Sequence, residues 1–289
     1  MDYQFITLKN EHIEVTLCNL GASINRIIFD NEDMILTPCD NKDFFKGNCY
    51  YGKTIGRICG RIKAANEFGY ALQANEGTTS LHGGFDGLSS KVFKYKKEGN
   101  KVTFTYLSKD EEAGYPGNLN IKVTYELVNS ALLLNYECHV DKPCVIALTN
   151  HTYFCLGEKH TDDLSLIFDP KTMVQVNEEL MPVKHIQVPQ LLDEPILDLS
   201  ICGEIDNYFQ LDNKVMRLFG KKYAMDINHD FEGVNIFTDH WKDMIRTTLS
   251  DEGFSRGVAI EPQDDQLNRK VLLPNDDYRR YIIYTFKKL

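Results

Sequence analysis

Two short stretches of this chain carry side chains suited to moving protons. Thr149-Asn150-His151-Thr152-Tyr153-Phe154-Cys155-Leu156 follows Val145-Ile146-Ala147-Leu148, and the whole run from Val145 to Leu156 has the β-branched and aromatic content of a strand. Successive strand side chains point to opposite faces, so Thr149, His151 and Tyr153 share one face while Ile146, Leu148, Phe154 and Leu156 lie on the other. In Val258-Ala259-Ile260-Glu261-Pro262-Gln263 the same alternation sets Glu261 with Ala259 and Gln263, away from Val258 and Ile260, and Pro262 marks the strand's end or edge. A histidine and a glutamate, each on a rigid strand, are residue types of general acid and base catalysis. Taken singly, each also has a plainer reading: a buried histidine hydrogen-bonded for structural reasons, and a solvated acid at a strand end.

The elements that must hold these residues are strands. His12 to Leu17 alternates polar with apolar, Asn19-Leu20-Gly21 supplies a turn, and Ile24 to Phe29 resumes the pattern, which predicts a hairpin. Val102, Phe104 and Tyr106 alternate with polar neighbours. Leu119, Ile121, Val123, Tyr125 and Leu127 lead to a turn at Asn129-Ser130, and Leu132, Leu134, Tyr136, Cys138 and Val140 return from it. Shorter runs occupy Leu164 to Phe168, Met173 to Val176, Val234 to Phe237, Gly257 to Glu261 and Tyr281 to Phe286. Patterns of helical period are nearly absent, apart from a turn or two expected around Asp86 to Phe93. Many short strands between Gly, Asn, Asp and Pro clusters predict an all-β fold, a large antiparallel β-sandwich. Without repeat, low-complexity tract or linker, one domain spanning residues 1–289 is the simplest organisation.

Composition narrows the function classes. Hydrophobic residues at 43% and charged residues at 26% are ordinary for a globular protein, and 42 acidic against 32 basic residues give a net charge of −10. That balance offers no electrostatic footprint for nucleic acid or an anionic membrane surface, and favours a neutral small-molecule substrate. The polar opening Met1-Asp2-Tyr3-Gln4 does not have the basic-then-apolar pattern of a leader, and no apolar run approaches the length of a membrane-spanning helix, so a cytoplasmic location is expected. The eight cysteines include no C-x-x-C pair and none lies near histidines at metal spacing, so they read as small core hydrophobes in a reducing compartment. Gly47-Asn48-Cys49-Tyr50-Tyr51-Gly52-Lys53-Thr54 does satisfy the G-x-x-x-x-G-K-[ST] phosphate-loop pattern, and Leu164 to Asp169 is like its acidic strand. The pattern needs a buried strand before it and a helix after it. Here the lead-in Asp40 to Asp43 is charged, and Gly56 and Gly60 interrupt the segment where that helix would propagate, so nucleotide binding is not expected.

Five dispersed motifs make a different assignment. Gly56-Arg57-Ile58-Cys59-Gly60-Arg61-Ile62, Ser80-Leu81-His82-Gly83-Gly84, Asn150-His151-Thr152-Tyr153-Phe154, Asp206-Asn207-Tyr208-Phe209 and Ala259-Ile260-Glu261-Pro262-Gln263 together resemble the aldose 1-epimerase family, the galactose mutarotases, in the family's order from about Gly52 to Asn268. The resemblance implies a large β-sandwich, no metal or organic cofactor, and interconversion of the α and β anomers of a free aldose. It implies His151 as general acid, Glu261 as general base, Arg61, His82 and Asp206 as sugar-binding and supporting groups, and Tyr153 in the same pocket. Arg61 is preferred over Arg57 because its position matches. The chemistry is consistent: a carboxylate with a reference pKa of about 4.3 is ionised at neutral pH and takes the anomeric proton, and a histidine near about 6.5 gives one to the ring oxygen. The chain departs from the family at Gly60, where an asparagine is usual, at Cys155, again in place of an asparagine, and at Asn235, where a glutamine would reach the sugar. The segment after Glu261 lacks the usual proline-aspartate sequence. Two alternatives share the fold: a hexose-6-phosphate epimerase, for whose phosphate Arg57, Lys53 and Lys63 are candidate ligands, and a sugar-binding protein without turnover. A monomer or weak homodimer is expected. Trp241 and the other six histidines receive no role.

Overall fold

The computed structural model describes residues 3–46, 49–238, 247–248 and 257–289. Trp241 and His240 lie outside the described residues, as do Gly47 and Asn48 of the phosphate-loop match. Among the described residues the largest sheet has nine antiparallel strands, ordered Leu197–Asp198, Ser165–Ile167, Val215–Phe219, Tyr223–His229, Tyr278–Lys288, Ala131–Val140, Leu119–Val128, Lys101–Ser108 and Lys94–Glu98. A six-stranded antiparallel sheet runs Tyr153–Phe154, Val258–Gln263, Gly233–Thr238, Asp206–Leu211, Pro170–Val176 and Pro182–Ile186. The expected first hairpin, Ile13–Cys18 with Ser23–Phe29, belongs to a separate four-stranded sheet.

The centre of the large sheet follows directly from its alternation. Leu119–Val128 and Ala131–Val140 pair over their full length, and Val123, Tyr125, Leu132, Leu134 and Tyr136 are wholly buried. Their outward neighbours are polar, as with the Lys122–Glu137 pair at 2.6 Å. Asn129 opens the two-residue turn with a φ of 53°, a conformation asparagine tolerates better than most residues. Leu134, Ile282 and Tyr284 of this sheet share one apolar core with Val234, Ile236, Val258 and Ile260 of the other, and Phe154 meets Tyr284 at 5.0 Å between ring centroids. The two sheets are thus the layers of a sandwich, and Glu261 stands on the face of its strand opposite Ile260.

Three expectations need correction. Val145 to Leu156 is not one strand: Cys144–Val145 pairs with Val271–Leu272, Thr149–Asn150 with Thr54–Ile55, and Tyr153–Phe154 with Val258–Gln263. Each short piece finds a different partner, which composition cannot reveal because it reports strand propensity and not pairing. The expected turn of helix near Asp86 reduces to a 3₁₀ turn at Leu88–Ser90, while an unexpected short helix, Asn41–Phe44, is capped by Asp40 accepting from the Lys42 amide at 2.8 Å. Lys53 is no phosphate ligand. It is wholly buried, donates to the Lys46 carbonyl at 3.2 Å and lies over the Phe44 ring, and the residues after it form a strand and no helix.

Arg57 is likewise structural. Its buried guanidinium donates to the Ser108 hydroxyl and carbonyl, the Lys109 carbonyl and the Pro116 carbonyl at 2.8–3.1 Å, and lies beside the Tyr115 ring. Removing it strands several buried acceptors. Arg57→Ala is therefore expected to destabilise the fold by about 3 kcal/mol in urea unfolding, and a loss under about 0.5 kcal/mol would contradict this role.

Candidate functional site

One cavity of about 220 Å³ gathers residues from all five motifs. Glu261 and Gln263 enter it from Val258–Gln263, and Asn235 and Phe237 from the adjacent Gly233–Thr238, where Asn235 is the cross-strand partner of Glu261. Tyr208 and Asp206 come from the next strand, and His151 and Tyr153 from the segment that crosses between sheets. Arg61 and His82 come from a small hairpin, Arg61–Lys63 with Thr79–Leu81. Every candidate read from the sequence (His151, Glu261, Arg61, His82, Tyr153, Asp206 and Asn235) thus lines the same cavity.

His151 Nε2 stands 3.6 Å from Glu261 Oε1, and both side chains are almost wholly buried, at 6% and 2% exposure. The imidazole is fixed by aromatic neighbours: Tyr50 stacks on it at 5.8 Å, Tyr153 lies at 5.0 Å, and His82 meets it edge-on at 5.3 Å. Burial lowers the His151 pKa to about 4. Burial, reinforced by the charge of Asp206, raises that of Glu261 to about 8 against the opposing pull of Asn235 and Arg61. The expectation that Glu261 is simply ionised at neutral pH is therefore corrected. In the free pocket it holds a proton, because burial denies its charge the solvation that bulk water would give.

His82 has a positive φ of 55°, and its loop is held by Asn75, whose side chain accepts from the Leu81 amide at 2.7 Å and donates to the Leu81 carbonyl at 3.0 Å. A side chain at Gly83 would come within 2.1 Å of the Gly56 carbonyl oxygen, so the glycine there permits a close crossing of two backbones. His82 Nδ1 accepts from the Gly60 amide at 3.3 Å. That bond leaves Nε2 to carry the hydrogen and donate it into the cavity. Burial, then the neighbouring His151 and Arg61, hold His82 well below its ordinary pKa, which keeps it neutral.

Arg61 does not offer a free positive charge. Its guanidinium is clasped by Glu76 through contacts of 2.5 and 3.2 Å, and Asp206 stands 3.6 Å from Nη1. Glu76 was not among the sequence candidates, nor were Tyr50, Gln263 and Gln266, which also line the cavity. Gln263 shares its strand face with Glu261 and was legible by alternation; the others sit in irregular segments with no periodic signal. Of the departures, Cys155 is buried with its thiol near the Asp33 carbonyl and does not reach the cavity, whereas Asn235 and Gly60 do.

Comparison with known proteins bears on the family and the fold. The chain is 25% identical to a galactose mutarotase from Bos taurus over 309 aligned positions, covering 94% of this chain and 90% of that one. It is 30% identical to a galactose mutarotase from Sus scrofa over 62% of this chain, a match that spans only 56% of the pig protein. The crystal structure of a GalM/aldose epimerase homologue from C. elegans superposes with a TM-score of 0.89 at 24% identity, covering both chains completely. The aldose 1-epimerase family model matches residues 4–285, and the chain belongs to that family of isomerases.

Proposed function

We propose that this chain interconverts the α and β anomers of a free hexose such as D-galactose or D-glucose by general acid and base ring opening. The observation that carries the reading is the convergence of His151 and Glu261 at 3.6 Å in a buried, aromatic-walled cavity. The two oxygens that exchange protons, the anomeric hydroxyl and the ring oxygen, are bonded to the same carbon. An acid and a base serving both must therefore stand side by side, as these do. Glu261 takes the proton from the anomeric hydroxyl as the bond from that carbon to the ring oxygen breaks, and His151 gives a proton to the ring oxygen. The open chain is an aldehyde; rotation about the bond between its first two carbons presents the other face. Closure with the roles reversed yields the other anomer and restores both groups. His82 and Arg61 donate hydrogen bonds that hold the sugar, and Tyr153 and Phe237 cover its apolar edges. The carbon–oxygen bond that breaks on opening re-forms on closure, and the two proton transfers are reversed with it.

With one pKa near about 4 and the other near about 8, the pair holds one proton across the interval between them. That proton rests on Glu261 in the free pocket. A sugar hydroxyl donating to the carboxylate stabilises the form in which His151 carries it. Above about pH 8 the pair loses the proton and the acid is gone; below about pH 4 a second proton arrives and the base is gone. Polarimetry of fresh α-anomer, corrected for the buffer rate, is expected to show a plateau in kcat/KM between these limits. A rate that rose steadily through pH 8 would oppose the assignment.

The charge balance favours a neutral sugar over its phosphate. Arg61 is already paired with Glu76 and faces Asp206, Lys53 and Arg57 are buried away from the cavity, and Lys63 is paired with Glu179 at 2.5 Å. A dianion at the mouth would meet carboxylates. Inhibition by glucose 6-phosphate at lower concentration than glucose would reverse this preference. Sugar binding by calorimetry, with anomer exchange at the uncatalysed rate in NMR, would instead mark a binding protein. A single domain, a cytoplasmic location and a monomeric or weakly dimeric state belong to the same proposal.

A further inference from the structure

The geometry points to Gln266 as a specificity-determining residue that contacts the sugar through a gap left by Gly60, the two positions forming one subsite. This inference rests on reading the cavity as an aldose site. Gly60 lies directly before Arg61 and lines the cavity with no side chain of its own. A Cβ built on it would come within 3.0 Å of the Gln266 amide nitrogen and 3.5 Å of the Gln266 amide carbon. The side chain of Gln266, which arrives from a segment more than two hundred residues later in the chain, therefore occupies the space that a residue at position 60 would fill. Gln266 also lines the cavity, and among the described residues its side-chain amide makes no hydrogen bond to the protein.

The surroundings explain why the amide faces the cavity. Asp265 anchors the loop: its Oδ1 accepts from the Leu267 amide at 2.9 Å, and its Oδ2 accepts from the Asn268 side chain at 2.6 Å and lies 3.1 Å from His185 Nε2. Arg269 reaches back to the Arg61 carbonyl at 3.0 Å, which ties the far end of the loop to the strand that carries the binding arginine. Gln266 sits between these anchors with both a donor and an acceptor to offer. A half-buried amide in that state is matched to a hydroxyl, which needs one of each. Because the amide stands against Gly60, the residue before Arg61, and makes no hydrogen bond to His151 or Glu261, the hydroxyl it meets is taken as one that has no part in ring opening. Its orientation on the ring then selects among aldoses. A pocket that hydrogen-bonds a hydroxyl discriminates against the sugar lacking it, because the protein amide is left unpaired.

The test is a kinetic panel on the full chain: D-galactose, D-glucose and their singly deoxygenated analogues with wild type, Gln266→Ala, Gly60→Asn and the double variant, by NMR anomer exchange. Gln266→Ala is expected to raise KM about tenfold for the preferred hexose, the value of one neutral hydrogen bond, with most of the effect in KM and little in kcat. The penalty should vanish for the one deoxy sugar that lacks the contacted hydroxyl. Gly60→Asn keeps a residue type that tolerates the positive φ of 68° found there, and in the Gln266→Ala background its amide is expected to recover most of the lost affinity. An unchanged KM in Gln266→Ala, a loss equal across every deoxy sugar, or a double variant no better than Gln266→Ala would each overturn the shared subsite while leaving the epimerase reading intact. A wild type that neither exchanges anomers nor binds any aldose would overturn that reading, and this inference with it.

Discussion

Replacing Glu261 by glutamine is expected to lower kcat for anomer exchange by about 10³-fold, with a much smaller change in KM. The amide keeps the shape of the carboxyl and can still meet Asn235 across the strand pair, so the sugar should bind; what it cannot do is accept a proton. A purely structural role makes the opposite forecast for stability. Glu261 has a folded pKa of about 8 against an unfolded reference of 4.5, a raised value. The stability it permits is fully present below the unfolded pKa and is lost as the pH rises from about 4.5 through about 8, because the unfolded chain ionises freely and the folded one does not. Glu261→Gln removes that loss. The variant should be more stable than wild type at pH 8, on the order of 3 kcal/mol and with a correspondingly higher melting temperature, and the margin should shrink towards pH 5. A variant that is both less active and less stable at pH 8 would show that the carboxyl holds the fold together, and its assignment as the base would fail.

The parts of this molecule legible in the sequence are those where one local rule decides. The alternation of Leu119 to Val140 and the turn at Asn129 yielded the paired strands at the centre of the large sheet, since a half-buried strand pattern needs no knowledge of its partner. His151 and Glu261 were legible as side chains on polar strand faces, and their meeting in one cavity rested on the family resemblance, because they lie 110 residues apart in the chain. What depends on partners was not legible. The run from Val145 to Leu156 has the composition of one strand but divides among three pairings, and nothing in residue type marks the points where it changes sheets. The protonation of Glu261 is not legible in the sequence for the same reason. Its pKa is set by burial and by the charge of Asp206, which a different strand brings to the same cavity, and a reference value carries none of that. Arg57 and Arg61, four residues apart, look alike in sequence; one props a loop and the other faces the cavity with Glu76 in its grip.

His151→Asn is the second large effect expected, a fall of about 10²–10³-fold in kcat, and its pH dependence is more telling than its size. In the wild type the descending limb above about pH 8 reports loss of the single proton that the pair shares. With the imidazole gone, the enzyme supplies no proton to the ring oxygen at any pH, and water must do so. The residual rate then depends only on how much Glu261 is ionised as base. It should therefore rise with pH through the region near 8 where the wild type falls, so that the two profiles cross in slope. His82 provides the sharpest challenge, since its ring lies 5.3 Å from that of His151 and could be thought to replace it. Its Nδ1 is engaged by the Gly60 amide, and burial and the positive groups around it oppose its taking a charge, so it is poorly placed to act as the acid. If His151→Asn retained the wild-type rate, or kept the wild-type descending limb, the donor would lie elsewhere. Loss of activity in the His82→Asn variant with that same limb abolished would then identify His82 as the acid. The expected contrast is that His82→Asn weakens sugar binding and preserves the limb, because the proton it concerns is held between His151 and Glu261.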